Sequence, residues 1–311
     1  MRREFLNGKR GKPDVREFEL RLTDHLSVLH NDLRRFTYRH SGYQAFKITD
    51  PKPRDIHKAS VRDRLLHHAT HRQLYPFFDK TFIADSYSCR KGKGTHKAMN
   101  RFREFAGSVS RNGTRTCWVL KLDIQRFFAS IDQDILMDIL RQHIPDRNVL
   151  WLLERVIESF TSTGPGKGLP LGNLTSQLLV NIYMNELDQF AKHTLKAKFY
   201  IRYADDIAIL SHDYAELKSL IPRISEFLNE RLKLELHPHK VSIGTLAAGV
   251  DFLGWVHFHD HRVLRTTTKR RMRDALTRGA SREAEASYFG MLKHGNTRTL
   301  ETALKVLSLR K

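Results

Sequence analysis

The stretch FYIRYADDIAIL, residues 199–210, sets two adjacent carboxylates, Asp205 and Asp206, in the middle of an apolar run. Taking a carboxylate out of water is costly unless something pairs with it, and two side by side repel each other. The flanks FYIRY and IAILS read as two strands with a tight turn between them. The pair then falls at a hairpin tip, where successive side chains point to opposite sides. Such a tip is either a wet turn or a place where a cation holds the two charges.

A third carboxylate narrows the choice. CWVLKLDI, residues 117–124, is a short β-rich run that reaches Asp123. If its strand lies beside the hairpin, Asp123 comes close to the tip. Three carboxylates can hold two Mg²⁺ ions about 4 Å apart, the arrangement that drives in-line phosphoryl and nucleotidyl transfer. Hard oxygen ligands suit Mg²⁺, and the lack of convergent Cys or His argues against zinc. An Asp-Asp dipeptide taken alone also fits an ordinary solvated turn.

The bulk charge points to a partner. Lys and Arg number 54 against 34 Asp and Glu, a net +20. Such an excess attracts polyanions and releases their counterions on binding, which favours nucleic acid. The 311 residues allow one large core or two to three subdomains, and 40% hydrophobic content excludes a disordered chain. No run approaches the roughly 20 uncharged apolar residues of a membrane span. The N-terminus, MRREFLNGKRGKPD, has no apolar segment, so no secretory signal is expected. Two cysteines, Cys89 and Cys117, support neither a disulfide framework nor a four-Cys zinc site, and a reducing interior is expected.

Residues 15–37 read as one amphipathic helix, with Leu22, Leu26, Leu29, Leu33 and Phe36 at steps of four and three. YQAFKI reads as a strand and TDPKPRD as a turn. Ser60 and Asp63 have capping-box spacing and predict a helix through Leu65, Leu66 and Ala69. RKGKG, residues 90–94, is a basic glycine loop before a helix from Thr95. It lacks the spacing of a Walker phosphate loop. Residues 149–160 and 174–187 have helical patterns, and 162–173 is a loop with four glycines and two prolines. Leu217, Leu220, Ile224, Phe227 and Leu228 mark another helix, in which Pro222 predicts a kink or a late start. VDFLGWVHF reads as a strand. The alternating His257, His259 and His261 read as hydrated hairpin residues. Residues 262–311 hold 13 Lys and Arg against 4 Asp and Glu and look helical and solvated. The order predicts an α+β chain with a small antiparallel sheet backed by helices.

At this point the chain resembles reverse transcriptases of the bacterial retroelement kind. YADD (203–206) looks like the Y-x-D-D box of the palm, and LKLDIQRFFASID (120–132) like the first palm carboxylate motif. GLPLGNLTSQLLVNIYMNELD (168–188) looks like the loop and helix that support template and nucleotide. LKLELHPHK (232–240) and DFLGW (251–255) resemble the two following motifs, the second being the primer grip. DPKPRDIHKASVRDRLLHHA and SYSCRKGKGTHKA resemble fingers segments. The resemblance covers about residues 43–258 in the family's order.

It implies a right-hand polymerase: an N-terminal helical extension over 1–42, fingers over 43–115, and a palm over 116–258 with fingers helices inserted near 134–165. A short basic thumb over 259–311 would track the duplex backbone. The implied activity is RNA-directed DNA polymerisation. Asp123, Asp205 and Asp206 would bind two Mg²⁺ ions, for which Mn²⁺ can substitute, with the backbone at Ile124 also touching the metal-bound phosphates. Phe128 would occupy the space of a ribose 2′-hydroxyl and select dNTPs, although Phe127 and Phe128 also fit a core. Lys52 and Arg54, on the predicted fingers turn, would clamp the triphosphate, and Arg64 is a further fingers cation. Lys240 would protonate the leaving pyrophosphate, or be a solvent-facing lysine. Gly172 belongs to the nucleotide site. Ser176, Gln177, Phe252, Leu253 and Gly254 belong to the template and primer contacts.

Where related retroviral and group II intron enzymes have Gln before the glycine, this chain has Leu171, and Gln177 stands where Pro is usual. An aliphatic side chain cannot hydrogen-bond the incoming nucleotide, which weakens discrimination against mispairs. This detail resembles the error-prone enzymes of diversity-generating retroelements. The implied partners are template RNA, a DNA or RNA primer, dNTPs and an accessory retroelement protein, with no membrane and a cytoplasmic location. Retron-type or group II-derived enzymes remain open, as do an inactive RNA-binding or splicing-helper protein and an RNA-copying polymerase, the last disfavoured by Phe128.

Overall fold

The computed structural model describes residues 2–49 and 53–309. The chain begins with α1 (Arg2–Leu6), α2 (Pro13–Leu20) and α3 (Leu22–Arg34). A hairpin of β1 (Gln44–Ile48) and β2 (Arg54–Lys58) leads to α4 (Val61–Phe78) and α5 (Thr95–Ser110). Then come β3 (Trp118–Leu122), α6 (Phe127–Ser130), α7 (Gln133–His143), α8 (Arg147–Ile157) and α9 (Leu174–Gln189). The strands β4 (Phe199–Tyr203) and β5 (Asp206–Ser211) precede α10 (Tyr214–Leu232). Last are β6 (Ser242–Thr245), β7 (Val250–Phe252), β8 (Trp255–His257), β9 (Arg262–Leu264), α11 (Thr266–Thr277), α12 (Arg282–Leu292) and α13 (Arg298–Leu309). The expected α+β class is what the chain adopts.

Backbone contacts divide the chain into two compact units. One comprises Met1–Ala84, Ile124–Phe190 and Ser225–Glu235. It is mainly helical. Nearly every residue of α9 from Thr175 to Asp188 is buried, the polar Thr175, Ser176, Asn181, Asn185 and Asp188 among them. At the start of α4, Ser60 accepts from the Asp63 amide and its hydroxyl donates to the Asp63 carboxylate at 2.7 Å, the expected cap. Asp63 also accepts from the Tyr38 hydroxyl and the Ser41 amide, which fastens the segment before β1 onto α4. Arg64 is bound to Asp14 at 2.6 Å, and Lys58 reaches the same carboxylate at 2.7 Å. Arg64 therefore ties α4 to α2.

The predicted single helix over 15–37 is two helices, broken at Arg21. Phe18 packs with Phe5, Val15 and Leu65, whereas Leu29 packs with Tyr38, Leu66 and Val156. α2 serves the first cluster and α3 mainly the second, and leucine spacing does not reveal the break between them.

The second unit comprises Asp85–Asp123, Ala191–Ile224 and Leu236–Lys311. Its centre is a four-stranded antiparallel sheet in the order β4-β5-β3-β6. One face carries Val119, Ile201, Ala208 and Leu210 against Phe102, Phe105, Ala106 and Val109 of α5 and against Val250 and Phe252. A three-stranded sheet, β7-β8-β9, supports α11 to α13 through Trp255, Leu264, Met272, Leu276, Leu292 and Leu304.

Three further expectations are corrected here. VDFLGWVHF is a hairpin, not one strand: Leu253 (φ +53) and Gly254 (φ +87) form its two-residue turn. Left-handed residues at both turn positions match the twist of the strands. Pro222 neither delays nor interrupts α10. It sits on the exposed face, where the carbonyl of Lys218 that loses its partner can turn to water. His257 is not hydrated. It is 3% exposed, packs beside Phe102 and Phe252, and is held neutral by burial, its pKa lowered to about 4. Both cysteines are free. No helix among the described residues is long and apolar enough to cross a membrane.

Candidate active site

The predicted hairpin forms. Tyr203 pairs with Asp206 across a two-residue turn, Ala204-Asp205, so Asp205 occupies the tip and Asp206 begins β5. Ala204 is left-handed, with φ +55. A side chain disfavours that conformation, and the position usually falls to glycine.

The third carboxylate arrives by register. Leu122 of β3 lies opposite Ile207 of β5, so the next residue along, Asp123, is delivered beside Asp206. A turn over His237–Lys240 is fastened to the same place. The His237 amide donates to the Asp123 carbonyl at 2.8 Å, and the Lys240 amide to the His237 carbonyl at 3.0 Å. The Lys240 ammonium then meets the Asp123 carboxylate at 2.8 Å. Lys240 is thus an ion-pair partner, and nothing in its local sequence marks it as one.

Lys121 was missed by the sequence reading. On β3 it shares a face with Asp123, and its ammonium pairs with the Asp206 carboxylate while lying 4.6 Å from the centroid of the buried Phe252 ring. The period-two alternation of β3 carries the signal: a lysine two positions from a carboxylate points the same way.

The three carboxylates are electrostatically coupled. Burial pushes the Asp205 carboxyl up to about 6, with the charges of Asp123 and Asp206 adding to the effect and Lys240 opposing it. The tip is therefore a partly dehydrated anionic site with two ammonium groups at its edge, suited to a compact cation.

The sequence of residues 48–257 matches the family model of the reverse transcriptases, described as RNA-dependent DNA polymerases. The chain belongs to the reverse transcriptase family. It is by family a nucleotidyl-transferring enzyme. Among curated relatives, protein YkfC of Escherichia coli K12 is 24% identical over 81% of this chain and 74% of its own length. The group II intron-encoded protein LtrA of Lactococcus lactis is 28% identical over 59% of this chain and 30% of its own. Among solved structures, telomerase from Candida albicans in complex with a fragment of telomeric RNA superposes with a TM-score of 0.58 at 11% identity. It covers 92% of this chain and 58% of that one. The chain spans about half of a second, Candida tropicalis, telomerase, at 48%.

Other positions that the reverse transcriptase motifs single out fall on both units. Ile124 is 1% exposed and belongs to the packed interior. Phe127 is buried and Phe128 half-buried, edge-on to it at 5.4 Å, so one of the two is core. Arg54 is exposed as the first residue of β2. Lys52 lies outside the described residues.

Leu171 and Gly172 lie along that strand. The His57 amide donates to the Leu171 carbonyl at 3.0 Å, and the Asn173 side chain donates to the His57 carbonyl at 2.9 Å. Gly172 has φ +101, and a Cβ there would stand 2.8 Å from Ile56 Cγ2. The approach of loop to strand requires glycine.

Two expected template or primer contacts are buried side chains. Ser176, 2% exposed, faces into the unit from the first turn of α9, while Gln177 is half-buried. Phe252, 0% exposed, is core and bears the Lys121 ammonium on its ring. Leu253 and Gly254, at the turn, are half-exposed. The DFLGW motif read in isolation marks Phe252 as a surface contact; packing against α5 decides otherwise.

The donor set fits divalent metal in kind, being all carboxylate oxygen. Among the described residues no three His, Cys, Asp or Glu side chains converge as a closed ligand cluster. Two of the three carboxylates are engaged instead by Lys240 and Lys121. A metal would take over oxygens that these ammonium groups now hold.

Proposed function

We propose that the protein is an RNA-directed DNA polymerase that makes cDNA on a template RNA, and that Asp123, Asp205 and Asp206 are its metal-holding residues. The observation that carries this reading is the strand register that sets Asp123 beside the hairpin of Asp205 and Asp206, with the charges of Asp123 and Asp206 both felt at Asp205. When bound, two Mg²⁺ ions, or Mn²⁺ in their place, supply the Lewis acidity that activates a primer 3′-hydroxyl and neutralises a triphosphate. Asp205, raised to about 6, must give up its proton before it can take part. Lys240 offers a charged donor to the departing pyrophosphate, and Lys121 holds Asp206 in place. The Ile124 backbone, following Asp123, would lie against the phosphates that the metal holds, once local rearrangement uncovers it. Phe128 selects the deoxyribose, Arg54 and Lys52 hold the triphosphate, and Gly172 lets the nucleotide approach the backbone. Ser176, Gln177, Phe252, Leu253 and Gly254 shape the template and primer contacts, the buried ones from behind.

In this reading residues 1–42 are an N-terminal helical extension and 43–115 are fingers. Residues 116–258 form the palm, and 259–311 a basic thumb. The finer assignment is an error-prone enzyme of the diversity-generating kind, supported by Leu171 where a hydrogen-bonding side chain is usual and by Gln177. It would act in the cytoplasm with template RNA, a DNA or RNA primer, dNTPs and an accessory protein. The likeness to the group II intron-encoded protein LtrA favours a second reading, a group II intron-derived enzyme, beside which a retron-type enzyme stays open. Primer extension on an RNA template, with dNTPs against rNTPs and Mg²⁺ against EDTA, tests the activity. No extension under any condition refutes it. Sequencing the cDNA decides the subtype: errors concentrated at template adenines, and reduced by Leu171→Gln, support the diversity-generating reading.

A further inference from the structure

Arg202, two residues before the turn of the catalytic hairpin, is 0% exposed. A buried guanidinium is costly unless its donors are used. Its Nη1 donates to the Ala204 carbonyl at 3.1 Å, and its Nη2 donates to Ser86 Oγ, also at 3.1 Å. Ser86 is itself 0% exposed and forms a parallel bridge with Arg202. The bridge closes on both sides: the Arg202 amide donates to the Asp85 carbonyl and the Tyr87 amide to the Arg202 carbonyl, each at 3.0 Å. Asp85 is clamped in turn by Arg101 at 2.9 Å and by the Tyr87 hydroxyl at 3.3 Å. The segment that carries Ser86 is therefore rigid, and so is the guanidinium resting on it.

What the guanidinium holds is the strained residue. Ala204 adopts φ +55 without being glycine. Such a conformation persists where the surroundings over-determine it. The Ala204 carbonyl, leading directly into Asp205, is the group that Arg202 grips.

We propose that Arg202 is a positioning residue for catalysis: it braces the Ala204 peptide against Ser86 and so fixes where the Asp205 carboxylate points. This rests on the polymerase reading above. The predicted order of effects follows from the two bonds. Arg202→Met keeps length and loses the bonds to Ala204 and Ser86, along with any other the guanidinium makes. Ser86→Ala loses one without touching the hairpin. Ala204→Gly removes the strain that the brace resists.

The experiment measures steady-state primer extension and Mn²⁺ binding by electron paramagnetic resonance for wild type, Arg202→Met, Ser86→Ala and Arg202→Met/Ala204→Gly. A carboxylate misplaced by about 1 Å costs about 100-fold, so Arg202→Met should lower kcat about 100-fold with the dNTP KM within about threefold. Mn²⁺ binding should weaken in parallel. Ser86→Ala should lower kcat about threefold to tenfold, since it removes the Ser86 bond and leaves the Ala204 bond in place. The double variant should regain about tenfold of the lost kcat, because glycine holds a positive φ unaided.

A purely structural arginine predicts equal thermal destabilisation with no recovery from Ala204→Gly, and that result overturns the proposal. So does Arg202→Met with kcat near wild type. If Arg202→Met fails to fold, Ser86→Ala decides, and an unchanged kcat there overturns the proposal. Should the wild type prove inactive, the polymerase reading fails by itself, and the Mn²⁺ measurement still reads the brace.

Discussion

Replacing Asp205 by Asn should stabilise the metal-free protein while ending its catalysis. Burial and the neighbouring carboxylates lift the Asp205 pKa from 3.8 to about 6. The sign follows from linkage. In the unfolded chain the group ionises near its ordinary value, and in the folded chain only near 6. Ionised Asp205 therefore costs stability, the cost appearing as pH rises through 4 and reaching its full size above 6. About two pKa units at 1.36 kcal/mol each set a ceiling of about 3 kcal/mol. At pH 5 about half of that is already present. Asparagine keeps the shape and never ionises. Its stability advantage in EDTA should thus widen by about 1.5 kcal/mol between pH 5 and pH 8. For a chain of this size that is a relative Tm gain of about 2 °C.

The assay is paired thermal melts of wild type and Asp205→Asn across that range. Mg²⁺ at about ten times its Kd should then return about 1.4 kcal/mol to the wild type and much less to the variant. A variant less stable than wild type at pH 8 in EDTA, or a gap that does not change with pH, would refute the reasoning.

Other consequences are open to direct measurement. His257 is buried with its pKa lowered to about 4, so its contribution is complete above pH 6.5 and lost as pH falls from there toward 4. His257→Gln, melted at pH 7 and pH 5, should show a smaller acid loss than wild type, the reverse of the Asp205 effect. Lys240→Ala removes the charge that pulls the Asp205 pKa down, so the acidic limb of the kcat–pH profile should move to higher pH. Phe128→Ala should admit rNTPs in competition assays, whereas Phe127→Ala, in the core, should lower Tm at unchanged sugar selectivity. Lys121→Met should free Asp206 from its ammonium and change the Mg²⁺ concentration needed for half-maximal rate, while Lys121→Arg retains the pairing. An unchanged Mg²⁺ requirement would mean that Lys121 only packs on Phe252.

Much of the fold is legible where the deciding interactions are local. The YADD hairpin follows from apolar runs on both sides of a turn. The Ser60 cap follows from a three-residue spacing, and β3 from a short apolar run that reaches Asp123. The break at Arg21, the β7–β8 turn and the burial of His257 and Phe252 were not legible. Each depends on which distant apolar cluster a segment meets.

The candidate site divides along the same line. By itself the sequence determined the residue types: three carboxylates in ordered reverse transcriptase motifs, on a chain with a large cationic excess. Tertiary structure alone decided which cations face them. Lys121 reaches Asp206, and Lys240 reaches Asp123, through strand register and through a turn fastened to the Asp123 carbonyl. Arg202 becomes the brace of Ala204 because a parallel bridge puts Ser86 beside it. Residue type and spacing limit what a group can do. Its partner is set by long-range pairing, which brings together positions separated by some 80 to 120 residues.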